Sequence, residues 1–254
     1  MEKVSIIIPV YNRYEMTERC INHLREQNPD KSFETIVVDN GSTDKTEEML
    51  SGEKIITHIR NTENLGISKA YNRAADRAKH DILIFMHNDV FLFKKNWVAE
   101  IADFIEKNPS SGVVGLYGAK TLRRDGSFRG KTIVHSKKDF PSMKKTHERV
   151  AVVDGLLMAM NKEVFKKAGG FNEDFFFHFY DKDLSLRIMK RGYQNYILSI
   201  PFEHVSGATR KNLDADWKIR KDAQEIFVKI WRKNLPVDVR TLTERISYIF
   251  RKKA

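Results

Sequence analysis

The first hundred residues alternate short β-branched runs with amphipathic helices, and that order restricts the fold more than any other feature of the chain. Val4-Ser5-Ile6-Ile7-Ile8 reads as a strand bounded by Pro9. Met16, Cys20, Ile21 and Leu24 then recur at helical spacing between Glu15 and Gln27. Phe33 to Val38, Ile55 to Ile59 and Ile82 to Met86 are further strands. Helices are expected from Asp44, from Leu65 to Lys79 and from Trp97 to Lys107. Short connections between such units call for a mostly parallel, doubly wound, Rossmann-like sheet flanked by helices. Ligands of open α/β sheets bind beyond the carboxyl ends of the strands, so the turns there are where chemistry is expected.

The rest of the chain is less regular. Val113 to Tyr117 is a further strand, but residues 118–149 lose periodicity and predict a long loop or a mobile hairpin. Val150 to Met160 is apolar and strand-like, and a short helix from Glu163 to Ala168 is stopped by Gly169-Gly170. A helix from Asp183 to Arg191 and a strand from Tyr193 to Leu198 follow. From Ala215 the pattern is helical, with Ile219, Ala223, Ile226, Phe227, Ile230 and Trp231 on one face. Pro236 separates this from a last helix built on Val239, Leu242, Ile246, Ile249 and Phe250. These two helices can pack on the core, pair in a homodimer or lie on a membrane, and packing on the core or a protomer is preferred.

Charge narrows the partners. The net charge of +11 is concentrated in residues 120–149, with ten Lys/Arg against three acids, and in residues 208–254, with thirteen against six. Such regions suit nucleotide phosphates, a lipid-linked phosphate or an anionic membrane surface. No helix-turn-helix, zinc-finger spacing or RNP-like run supports nucleic acid. The one cysteine, Cys20, rules out an internal disulfide and reads as a core residue of the first helix. With neither a signal-peptide pattern nor a bilayer-length apolar run, a cytoplasmic protein is expected, peripheral at the inner face of the membrane if the basic regions meet lipid.

The strand ends lack both the Gly-x-Gly-x-x-Gly and the Gly-x4-Gly-Lys-Ser/Thr phosphate loops. They carry instead Pro9-Val10-Tyr11-Asn12, then Asp39-Asn40-Gly41-Ser42-Thr43-Asp44, then His87-Asn88-Asp89. A ring such as Tyr11 beside a carboxylate such as Asp39 suits a nucleoside, though each alone reads as well as a core residue and a turn former. Asp89 suits a divalent cation on a diphosphate, or else a cap for the helix that follows. Asp174, Asp181 and Asp183 surround an aromatic run, Phe175-Phe176-Phe177, and rings beside an Asp raise its basicity. One of Asp181 and Asp183 is expected to cap a helix, and Asp181 to do chemistry.

Those motifs together resemble the GT-A-fold glycosyltransferases of family 2, the inverting rhamnosyltransferase-like branch in particular. The likeness runs from residue 3 to about 210 through Asn64-Leu65-Gly66, Gly169-Gly170-Phe171-Asn172-Glu173, Tyr180-Asp181-Lys182-Asp183-Leu184 and His204-Val205-Ser206-Gly207. The resemblance implies a GT-A catalytic domain over 1–210, its nucleotide-sugar half at 1–110 and its acceptor half at 111–210, with a C-terminal helical extension at 211–254. It implies nucleotide-sugar contacts from Pro9, Val10, Tyr11, Asn12, Asp39, Asn64, Lys69, Asn72 and Asn88. The family often has Arg-Asn where Tyr71-Asn72 stands here, so the implied phosphate-binding arginine is either missing or replaced by Arg73. Asp89 and His204 are implied at the metal, Mn²⁺ or Mg²⁺, and Asp181 as general base. The implied donor is a UDP- or dTDP-sugar, and the acceptor a glycan or lipid-linked glycan beside the basic segment 118–149. The chain departs from the family at His87, where an acid is usual, and at Tyr180, where a Glu is usual. A nucleotidyltransferase is the rival enzyme, and a catalytically silent carbohydrate- or nucleotide-binding protein the rival from another class.

Overall fold

The computed structural model describes residues 3–29, 33–139, 143–205 and 213–250. The expected alternation is present as β1 (Val4–Val10), α1 (Tyr14–Gln27), β2 (Phe33–Asp39), α2 (Thr46–Ser51), β3 (Ile56–Arg60), α3 (Ile67–Arg77) and β4 (Ile82–Met86). A short β5 (Val90–Leu92) and α4 (Trp97–Lys107) complete this half. The second half opens with β6 (Ser111–Gly115), β7 (Tyr117–Ala119), β8 (Thr121–Leu122), β9 (Ile133–His135), β10 (His147–Val150), β11 (Val152–Val153) and β12 (Leu157–Asn161). It ends with α5 (Lys162–Ala168), α6 (Tyr180–Lys190), β13 (Gln194–Leu198), β14 (Phe202–His204), α7 (Leu213–Trp231), β15 (Val237–Asp238) and α8 (Leu242–Phe250).

The central sheet has eight strands in the order β10-β13-β6-β12-β4-β1-β2-β3. β1 to β4 are parallel neighbours, as is the pair β13 and β6, whereas β12 and β10 run antiparallel. Alternating side chains of β1 supply both layers. Ile7 joins the core under α3 and α6, and Ile6 and Ile8 join the core under α1 and α4. Small residues on α3, Ala70, Ala74 and Ala75, let that helix lie close on the sheet. Cys20 is buried among apolar neighbours, as expected.

Three departures from the expected elements shape the site. Residues 118–149 are not one long loop: β7 pairs with β9 and β11, and β10 joins the main sheet. Pieces of two to four residues carry too little periodicity to be read locally, and partners far along the chain define them. The apolar run 150–160 is broken between β11 and β12 at Asp154-Gly155-Leu156. Helix α6 begins at Tyr180 rather than Asp183, because Phe179 takes a left-handed backbone (φ 65°) and its carbonyl accepts the Asp183 N–H at 2.9 Å. Asp181 therefore sits in the first helical turn.

At the C-terminal side, Ala223, Phe227 and Trp231 of α7 are buried in the core. Leu242 and Ile246 of α8 are exposed at 75% and 44%, so these two apolar residues face solvent. The side chains of Ile249 and Phe250, and the whole of Ser206-Gly207, lie outside the described residues. Among the described residues no helix is long and apolar enough to cross a membrane.

Candidate active site

Three donor side chains meet at the carboxyl end of β4. Asp89 stands in the turn between β4 and β5, and β5 pairs with β14 so that His204 lies opposite Val90. That register carries His204 to Asp89, with Nε2 3.3 Å from Oδ1, and the Val205 N–H donates to the Asp89 carbonyl at 2.9 Å. Ligand atoms of His87, Asp89 and His204 all lie within 4.8 Å of one another. The Tyr180 hydroxyl, 2.9 Å from His87 Nε2, holds that ring.

Asp89 Oδ1 is buried, and its 3.3 Å contact with His204 Nε2 lacks the alignment of a hydrogen bond. Burial by itself would raise the Asp89 pKa, but His204 and then His87 more than offset it and keep the carboxyl below its ordinary range. A buried ionised oxygen without a hydrogen bond, next to two imidazoles, fits a divalent cation. Two nitrogen donors and one oxygen suit Mn²⁺ better than Mg²⁺, which prefers oxygen.

The cluster opens into a cleft of about 740 Å³, a volume suited to a small-molecule ligand. Pro9, Val10, Tyr11 and Asn12 line its β1 end, and Asn40, Asn64 and Asn88 also border it. Asn12 has a left-handed backbone (φ 57°) that its amide secures, since Oδ1 accepts the Thr43 N–H at 2.8 Å. Asn40 Nδ2 donates to Asn64 Oδ1 at 2.8 Å, which joins the turns after β2 and β3. Asn88 Nδ2 donates to Thr17 Oγ1 at 3.0 Å.

The opposite wall carries Asp181 and Asp154. Asp181 is buried, and both its oxygens accept backbone N–H bonds, from Lys182 at 2.8 Å and Gly155 at 3.0 Å. Burial nonetheless raises its pKa, against the pull of Lys182 and those N–H groups. Asp154 is raised too, to about 6, by burial and by the negative charge of Asp181. Gly155 is required here, because a Cβ at that position would fall 2.0 Å from the Tyr180 hydroxyl.

Five sequence-expected residues stand elsewhere. Asp39 is fully buried beneath the cleft, ion-paired to Arg60 and accepting the Ser42 N–H at 2.8 Å, so it does not line the wall. Lys69 is exposed on α3 and does not border the cleft. Asn72 clamps Phe171 through its backbone N–H (2.8 Å) and carbonyl (2.9 Å), and Arg73 is bonded to Asn61. Asp174 is exposed and apart, so the acidic partner of Asp181 is Asp154 instead. Asp183 is a structural residue, but not in the helix-capping role expected of one of the pair, since Phe179 is the N-cap and no side chain caps it. Asp183 instead accepts from Arg187 Nε at 2.7 Å and from Trp231 Nε1 at 2.9 Å, tying α7 to α6.

Sequence reasoning missed Asp154, Arg13 and Lys182. Asp154-Gly155 interrupts an apolar run, and that interruption was the available signal. Arg13 follows the Pro9–Asn12 turn, has a left-handed backbone (φ 63°), and its Nη1 is buried without a hydrogen bond in the cleft. Lys182 lies with Nζ 4.2 Å from the Phe179 ring centroid and 4.7 Å from that of Phe128, and donates to the Gly126 carbonyl at 2.9 Å. It anchors the turn after β8 to α6.

A large mixed sheet flanked by helices, with a polar cleft at the carboxyl ends of its parallel strands, is the architecture of GT-A-fold glycosyltransferases. The Pyrobaculum calidifontis mannosyltransferase PcManGT, solved with GDP-Man and Mn²⁺, superposes with a TM-score of 0.62 at 22% identity, covering 86% of this chain and 60% of that one. S. aureus TarS 1-349 with UDP gives 0.55 at 23% identity, over 78% of this chain and 58% of that one. The family model for glycosyl transferase family 2 matches residues 5–169, and the chain belongs to that family. A Bacillus subtilis (strain 168) glycosyltransferase, YfnE, is 39% identical over 120 residues, 45% of this chain and 30% of that protein. A PGL/p-HBAD biosynthesis glycosyltransferase of Mycobacterium bovis is 34% identical over 131 residues, 49% of each chain. The matched stretch thus spans half or less of these relatives.

Proposed function

We propose that the protein transfers a sugar from a nucleotide-diphosphate sugar to a hydroxyl of a glycan or lipid-linked glycan, with inversion at the anomeric carbon. The observation that carries this reading is that the His87, Asp89, His204 cluster and Asp181 border one cleft. In this reading residues 1–210 do the chemistry, 1–110 on the donor side and 111–210 on the acceptor side, with 211–254 as an extension. Tyr11 and Asn12 border the nucleoside, and Arg13 faces the diphosphate. His87, Asp89 and His204 would hold a divalent cation, which when bound neutralises charge on the leaving diphosphate. Asp181 takes the proton of the acceptor hydroxyl. The oxygen then bonds to the anomeric carbon as the bond to the phosphate oxygen breaks, and the electron pair leaves with the nucleoside diphosphate.

The relatives named as glycosyltransferases and the GDP-Man and UDP complexes of the structural neighbours support this reading. UDP-, dTDP- and GDP-sugars are all candidates. Contact with an anionic membrane is supported by exposed Leu242 and Ile246 in a basic segment. The test is release of nucleoside diphosphate from a panel of UDP-, dTDP- and GDP-hexoses, with Mn²⁺ and with chelator. Release from one donor that stops on chelation is expected, with the product anomer opposite to the donor by NMR. Binding of a donor without any turnover across the panel would favour the catalytically silent alternative.

A further inference from the structure

The acceptor wall holds a carboxylate that the single-base scheme leaves without work. Asp154 is half-buried, borders the cleft and stands next to Gly155, whose N–H is bonded to Asp181 Oδ2. The two carboxyls differ in what they have left to offer. Asp181 is only 8% exposed and accepts a backbone N–H at each oxygen. Asp154 accepts a single N–H, from Leu156 to Oδ1 at 3.1 Å, and its second oxygen has no hydrogen-bond partner among the described residues. A carboxylate oxygen facing a cleft with no donor is the better placed to meet an incoming hydroxyl.

We propose that Asp154 is a second catalytic carboxylate, whose open oxygen accepts a hydrogen bond from the acceptor hydroxyl, and that the proton released is held between Asp154 and Asp181. The inference rests on the transferase reading and adds to it. The acceptor O–H bond breaks, its oxygen bonds to the anomeric carbon, the phosphate oxygen departs with its electron pair, and the proton stays on the carboxyl pair until solvent takes it. Burial raises the pKa of both carboxyls, and the negative charge of Asp181 raises Asp154 as well. The groups facing the pair are Lys182, His204, Tyr117 and Tyr180, with Arg220 and Asp125 beside Lys182.

The test has a substrate-free arm and a turnover arm. Carboxyl NMR of protein labelled with ¹³C-aspartate, in chelator, is expected to show one aspartate titrating near pH 6 that disappears in Asp154→Asn. In Asp181→Asn the same signal should move down by about one pH unit, the signature of interacting sites. A signal that keeps its midpoint in Asp181→Asn would overturn the pair. In the turnover arm, the UDP-, dTDP- and GDP-hexose panel is run with water as acceptor. Asp154→Asn should melt no lower than wild type and keep Mn²⁺-dependent affinity for the released diphosphate, yet slow turnover about 100-fold, within the usual range for acid–base groups. The double variant should be little slower than either single one. Turnover of Asp154→Asn within threefold of wild type, with Asp181→Asn inactive, would refute the proposal and leave the single-base scheme intact. Both single variants active would instead refute Asp181 as base.

Discussion

The Tyr180 hydroxyl lies 2.9 Å from Nε2 of His87, so the two positions at which the chain departs from its family's motifs touch each other. An imidazole where an acid is usual needs its ring orientation fixed, and a neighbouring hydroxyl does that. Tyr180 itself stays a neutral phenol, because burial and then nearby Tyr71 and acidic groups push its pKa well above the ordinary value.

The cation site should respond to that contact. Tyr180→Phe is expected to weaken Mn²⁺ binding roughly tenfold, the lower end of the effect of losing an outer-shell partner. Asp89→Ala should weaken it further and take Mn²⁺-dependent diphosphate affinity with it. Calorimetry on each variant decides, and unchanged Mn²⁺ affinity in Asp89→Ala would remove that carboxylate from the site.

Arg13 offers a sharper probe of the diphosphate end. Its Nη1 is buried with no hydrogen bond, so an anionic ligand gives it a partner it lacks. Arg13→Gln is expected to lower affinity for UDP or GDP about tenfold while leaving Mn²⁺ binding alone. Equal affinity in the two proteins would place the phosphates elsewhere.

The pH dependence of stability follows from Asp154. Its pKa is raised from 3.8 to about 6 on folding, so the folded state binds a proton that the unfolded chain has already released. That contribution is complete below about pH 4 and is lost as pH rises through 6, leaving an uncompensated charge at neutral pH. Asp154→Asn should therefore stabilise the metal-free protein at pH 7–8 by about 1–2 kcal/mol, with the gain vanishing near pH 4. Urea titrations at the two pH values measure it, and a gain that persists at pH 4 would assign the effect to something other than this proton.

Asp183 makes a stability prediction without any catalytic content. Trp231→Phe removes the indole N–H from Asp183 Oδ1 and leaves a buried carboxylate oxygen short of a donor. A loss of about 1–3 kcal/mol is expected, with Mn²⁺ binding retained. The Asp183–Arg187 pair, 2.7 Å on the same helix, remains in that variant.

Exposed Leu242 and Ile246 predict contact with lipid. Flotation with vesicles of phosphatidylglycerol and phosphatidylcholine should capture the wild-type protein at low salt. Leu242→Glu with Ile246→Glu should reduce that capture several-fold. Equal flotation of the two proteins would assign any lipid contact to charge alone.

By itself the amino-acid order determined the layered sheet. Residues three and four apart mark a helix face and alternate residues mark a strand, and both signals are local. It also placed Asp89 at the end of β4, and Asp181 at the acidic motif before Leu184. Tertiary structure decided which of these groups meet. His204 reaches Asp89 only through the pairing of β14 with β5, and Asp154 reaches Asp181 only through a turn that breaks an apolar run. Packing likewise withdrew Asp39 to Arg60 and gave Asn72 to Phe171. Contacts between segments far apart in the chain are chosen by how the layers fit together, and no local periodicity carries that information.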